Sequence, residues 1–86
     1  MKQLIVLCGE QCAYCKKAKM LLRRALEKEP KFLALDIRYI CDESPEGAAY
    51  PHKLVPAFFC GESHLFEGNP DMGTVVSVLN KCYDSQ

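Results

Sequence analysis

The 86-residue chain lacks net charge: 11 Lys and Arg stand against 11 Asp and Glu, with two His. A balanced surface generates no long-range positive field, which excludes nucleic acid or an anionic membrane as partners held by bulk electrostatics. Long apolar runs are also missing, and no segment approaches the ~20 residues of a membrane span. The run Leu4-Ile5-Val6-Leu7 is shorter than the roughly 7 residues that form the core of an export signal. A reducing, cytoplasmic setting is therefore expected. There is no internal repeat, low-complexity segment or linker, so residues 1–86 are expected to form one domain. A domain of that length buries roughly 60–65% of the surface that its unfolded chain exposes.

What the chain does have is cysteine, six in all. A secreted disulfide framework would go with a loop-rich sequence, whereas this one carries clear hydrophobic periods. Residues 4–8 are wholly apolar, as in a central strand buried on both faces. From Ala13 the period changes: Cys15, Ala18, Leu22 and Ala25 share one helical face, widened by Leu21 and Leu26, and Pro30 marks the stop. Lys16, Lys17, Arg23 and Arg24 lie on the opposite, solvated face. Residues 32–40, rich in β-formers, predict a second strand parallel to the first. Glu43-Ser44-Pro45 predicts a helix start, limited by Gly47 and Pro51 to about two turns. Residues 57–60 and 64–67 predict a hairpin around Gly61-Glu62-Ser63. Asn69 is the expected N-cap of a last helix, with Pro70 in its first position and Asp71 just inside. Met72, Val75, Val76, Leu79 and Cys82 or Tyr83 supply its apolar stripe.

Cys12-Ala13-Tyr14-Cys15 falls at the junction between the first strand and the first helix. The first turn of a helix leaves backbone N–H groups unpaired and carries the positive end of the macrodipole, and both favour a thiolate. Cys12 is the expected nucleophile. Cys15, about one turn on, is placed to attack the Cys12 sulfur once a mixed disulfide has formed there. Val55-Pro56 precedes the third strand, a position where Pro requires special geometry. A cis bond is expected, turning the Val55 backbone toward the dithiol so that an extended substrate segment can pair with it.

Together, CxYC, a Val-Pro about 40 residues later and a Gly-containing turn before the last helix resemble the glutaredoxin-like branch of the thioredoxin superfamily, over nearly the whole chain. The resemblance implies a thioredoxin-like α/β fold of order βαβαββα, a four-stranded mixed sheet with flanking helices. It implies a monomeric dithiol oxidoreductase that reduces or exchanges protein disulfides, with Cys12 attacking, Cys15 resolving, Tyr14 flanking the site and Val55 and Pro56 as the substrate platform. It implies no tightly bound cofactor or metal. The reductant is then either glutathione or a protein reductase of the thioredoxin reductase type.

Several positions depart from the family pattern. Ala13 replaces the usual Pro after the first cysteine, so the family's potentials, spanning about −120 to −270 mV, do not transfer. Gly9 stands where a Lys usually meets a glutathione carboxylate, Leu54 where a Thr usually precedes Val-Pro, and Glu67-Gly68 where a Gly-Gly pair is common. Pro70 lacks the N–H that would help cradle the γ-glutamyl carboxylate, and Glu10 and Glu67 would repel it. Lys53, Gly68 and Asp71 remain as the expected glutathione contacts, and a protein reductase is favoured over glutathione.

A second class stays open, a redox-sensing or metal/iron-sulfur-binding module with little turnover. Cys8, Cys12 and Cys15 spell CxxxCxxC, the ligand spacing of radical S-adenosylmethionine enzymes, although those need a much larger barrel. Cys8 is expected to point into the core or away from the cluster position, and Cys41, Cys60 and Cys82 to pack as small hydrophobes. His52 and His64 share no ligand spacing and are expected in surface or turn positions.

Overall fold

A strand without polar side chains needs apolar cover on both faces, and residues 4–7 receive it: all four are fully buried. The computed structural model describes residues 3–10 and 12–84. Met1, Lys2, Gln11, Ser85 and Gln86, part of the expected 1–86 domain, lie outside the described residues. The order is β1 (Gln3–Cys8), α1 (Ala13–Lys28), a 3-10 turn (Pro30–Ala34), β2 (Asp36–Cys41), α2 (Pro45–Ala48), β3 (Ala57–Cys60), β4 (Ser63–Glu67) and α3 (Met72–Asp84). The four strands form one mixed sheet in the order β2-β1-β3-β4. β1 runs parallel to β2 and antiparallel to β3, and β3 and β4 form an antiparallel hairpin.

The two-residue side-chain period of β1 splits the core. Leu4, Val6 and Cys8 join Ala18, Leu22, Val75 and Leu79 of α1 and α3 on one face. Ile5 and Leu7 meet Ile40, Ala57 and Phe59 on the other, with Tyr50 packed against them. Each fully buried aliphatic or aromatic side chain contributes roughly 1.5–3 kcal/mol relative to exposure. The buried face of α1 is Cys15, Ala18, Leu21, Leu22 and Ala25, as its period predicts. The radius of gyration, 11.7 Å, matches the about 12 Å of a compact chain of this length. Among the described residues no helix is long and apolar enough to cross a membrane.

Three local expectations need correcting. Residues 32–34 belong to the 3-10 turn, and the second strand begins only at Asp36. Pro30 starts that turn, and Phe32 is drawn out of the strand direction because its ring is buried edge-on against Tyr83, with centroids 6.0 Å apart. α3 begins at Met72 rather than Pro70, because the Asp71 carboxylate caps it by accepting from Thr74 N at 2.8 Å. Asn69 accepts instead from Lys17 Nζ at 3.2 Å. α2 is a single turn, capped by Ser44, whose Oγ accepts from Gly47 N at 3.1 Å. A Cβ on Gly47 would lie 2.8 Å from the Asp42 carbonyl oxygen and would also strike that of Cys41. Glycine therefore lets α2 sit on the end of β2.

Candidate active site

The apolar β1 ends at Cys8, and the chain then turns over Gly9 and Glu10 toward α1. Cys12 is the N-cap of α1, with extended backbone (φ −91°, ψ 115°), and its sulfur accepts from Cys15 N at 3.3 Å. A thiol thus takes the place of the Ser, Thr, Asp or Asn oxygen that usually caps a helix. The hydrogen bond from the Cys15 thiol, aided by the Cys15 and Tyr14 backbone N–H groups, holds Cys12 below its ordinary value of 9.0 despite partial desolvation. Cys15 behaves in the opposite sense. Burial, followed by its hydrogen bond to Cys12, pushes its thiol up to about 12. Its sulfur accepts from Gly9 N at 3.4 Å. One sulfur is therefore partly exposed, with its thiolate form favoured relative to a free cysteine, and its neighbour is a buried thiol.

β3 brings the third part of the site. The Val55-Pro56 bond is cis, and the Cys12 sulfur lies 3.9 Å from the Val55 carbonyl oxygen. A Cβ on Gly9 would come within 3.3 Å of Val55 Cγ2 and 3.9 Å of Cys12 Cβ, so Gly9 forms the floor between the dithiol and Val55. Gly68, at φ +107°, donates its N–H to the Pro56 carbonyl at 3.0 Å and ties β4 to the same corner. Tyr14 is 49% and Leu54 57% exposed, flanking Cys15 and Val55 in the chain.

Of the expected glutathione contacts, two make bonds within the chain, Lys53 through its backbone amide and Asp71 through its carboxylate. Lys53 N donates to Glu67 Oε2 at 3.3 Å. Asp71 caps α3, and the Thr74 N–H holds its carboxyl below the usual carboxylate range. Neither histidine is aimed at the dithiol: His52 Nδ1 meets the Tyr50 carbonyl at 2.6 Å and His64 Nε2 meets Glu67 at 3.2 Å.

The remaining cysteines differ most from expectation. Cys60 and Cys82 form a disulfide between β3 and α3, with Cα atoms 5.4 Å apart, rather than packing as free thiols. Helix α3 lies across the far end of β3, and a separation of 22 residues in sequence gave no hint of that approach. Cys41 is exposed rather than packed, because β2 is an edge strand and Cys41 its last residue. Cys8 is buried as expected, and it lines the cleft that Cys12 and Cys15 share; burial raises its thiol above the ordinary 9.0, an effect that neighbouring Cys15 partly offsets. The alternation of Leu4, Val6 and Cys8 could have placed Cys8 on the α1 face; no sequence signal set its distance from Cys15. Among the described residues no group of three or more His, Cys, Asp or Glu side chains is arranged to hold a metal ion.

Fold and site define a mixed α/β protein, a four-stranded mixed sheet with flanking helices and a dithiol at the β1–α1 junction. No family model and no curated protein matches the chain. A solved structure described as that of a malarial protein superposes with a TM-score of 0.68 over 94% of this chain and 96% of that one, at 10% identity. That likeness concerns the fold alone.

Proposed function

We propose that this chain is a thiol-disulfide oxidoreductase with a thioredoxin-like fold of the glutaredoxin-like branch. The observation that carries the reading is the polarised dithiol: Cys12 caps α1 with its sulfur and sits below its ordinary value, while its hydrogen-bonded neighbour Cys15 is pushed up to about 12. The Cys12 thiolate attacks one sulfur of a protein disulfide, and the other sulfur leaves as a thiolate. Cys15, deprotonated as it attacks, then displaces the reduced product from Cys12 and leaves a Cys12–Cys15 disulfide. The strand order β2-β1-β3-β4 and the cis Val55-Pro56 bond beside Cys12 support the fold assignment. Exposed Tyr14 and Leu54 offer apolar contact for a protein substrate.

A protein reductase of the thioredoxin reductase type is the preferred reductant over glutathione. Gly9 offers no cation where a glutathione carboxylate would need one, and the Glu67 carboxylate, bonded to the Lys53 backbone, adds negative charge beside Lys53. The cytoplasmic setting is part of the same proposal, and the Cys60–Cys82 disulfide weighs against it, since reducing compartments rarely preserve such bonds. Replacing Cys12 with Ser is expected to abolish reduction of insulin disulfides. Replacing Cys15 with Ser is expected to accumulate mixed disulfides on Cys12, and full turnover by the Cys12 variant would sink the mechanism.

A further inference from the structure

Cys15 has a sulfur neighbour on each side: its N–H donates to the Cys12 sulfur at 3.3 Å, and Cys8 lines the same cleft. Cys8 in turn is the register partner of Cys41 across the parallel β1–β2 pair, and Asp42 N donates to the Cys8 carbonyl at 3.0 Å, holding the two strand ends together. Adjacent strands lie about 4.7–4.9 Å apart, inside the roughly 4.4–6.8 Å Cα separation that a disulfide spans. All four thiols line one open cleft of about 360 Å³, walled by Lys19 and Tyr39. Sulfur therefore runs from partly exposed Cys12 through buried Cys15 and Cys8 to exposed Cys41.

We propose that Cys8 and Cys41 are a second redox couple, which takes over the disulfide made at Cys12–Cys15 so that one chain stores two disulfides. The proposal rests on the dithiol function of Cys12 and Cys15. In the first exchange the Cys8 thiolate attacks the Cys15 sulfur. The Cys8–Cys15 bond forms, the Cys12–Cys15 bond breaks, and the electron pair leaves on Cys12, while the Cys8 proton passes to water in the cleft. Cys12, the thiol held below its ordinary value, is the better leaving group of the pair. In the second exchange the Cys41 thiolate attacks Cys8. The Cys8–Cys41 bond forms, the Cys8–Cys15 bond breaks, and Cys15 takes up a proton in place of the one that Cys41 gives to solvent. Both steps are isoelectronic; the oxidising equivalents come from the disulfide substrate. The renewed Cys12–Cys15 dithiol can then reduce a second substrate disulfide.

The test begins with the protein carrying its four free thiols and an excess of bis(2-hydroxyethyl) disulfide under anaerobic conditions, followed by acid quenching, alkylation and peptide mapping. Wild type should lose all four thiols and yield both Cys12–Cys15 and Cys8–Cys41 peptides. The Cys8→Ser and Cys41→Ser variants should reduce half as much disulfide per chain, and Cys12→Ser should form Cys8–Cys41 at least tenfold more slowly. If wild type stops at Cys12–Cys15 with Cys8 and Cys41 alkylated, the second couple is overturned while the dithiol function stands. Formation of Cys8–Cys41 at an undiminished rate in Cys12→Ser would overturn the relay in favour of direct oxidation. Absence of any Cys12–Cys15 bond would overturn both.

Discussion

At pH 7 the two thiols of the reduced Cys12-Ala13-Tyr14-Cys15 segment should react with iodoacetamide at very different rates. Cys12 lies below 9.0 and Cys15 at about 12, so their thiolate populations at neutral pH differ by at least about 10³. The more basic thiolate is the stronger nucleophile, and a Brønsted slope of about 0.4–0.5 returns roughly 30-fold to Cys15. The remaining preference for Cys12 is about 30-fold, before the burial of Cys15 at 3% exposure is counted. Rapid-quench alkylation with peptide mass spectrometry reads the two rates separately. Modification of Cys12 should level off at a lower pH than that of a free cysteine, whereas that of Cys15 should still be climbing at pH 9. Equal rates at pH 7, or a Cys12 rate that rises tenfold per pH unit beyond pH 9, would refute the polarisation of the pair and with it the assignment of Cys12 as nucleophile.

Gly47→Ala should destabilise the fold by about 1–3 kcal/mol in urea denaturation, as overpacking does, because the added Cβ meets the backbone of Cys41 and Asp42; unchanged stability would mean that α2 does not rest on the end of β2. Thiol titration of the denatured, unreduced protein should find four reactive cysteines, rising to six after reduction of Cys60–Cys82. Closing a loop of 22 residues is worth about 3 kcal/mol in the chain-entropy model, so reduction should lower the urea midpoint accordingly. Stability should also fall as pH rises from 9.0 toward 12: the folded chain holds the Cys15 proton more tightly than the unfolded one, and that advantage is intact below 9.0 and is lost as pH climbs through the folded value. Cys15→Ala should flatten the fall in a pH series of thermal melts, and an identical fall in the variant would assign it elsewhere.

Much of the architecture was legible in the chain because local patterns carry it. The apolar run of β1, the 3.6-residue stripe of α1, Ser44-Pro45 at the start of α2 and the glycine turn between β3 and β4 all appear where their chemistry puts them. Misreadings arose where a tertiary contact outbid a local preference. Phe32 is β-forming but is buried against Tyr83 of α3, and Asn69 caps well but is engaged by Lys17 of α1 while Asp71 takes the cap.

The sequence by itself determined the parallel strand-helix-strand start, the hairpin, the helix that starts at the dithiol and the place of Val55-Pro56 ahead of β3, because each follows from spacing along the chain. Only the tertiary structure decided what each cysteine meets. Cys60 and Cys82 are 22 residues apart, and Cys8 and Cys41 come from neighbouring strands joined through a helix. Sulfur has no periodicity from which such partners can be read. Its chemistry is set by contacts across elements, which exist only once α1 and α3 close over the sheet.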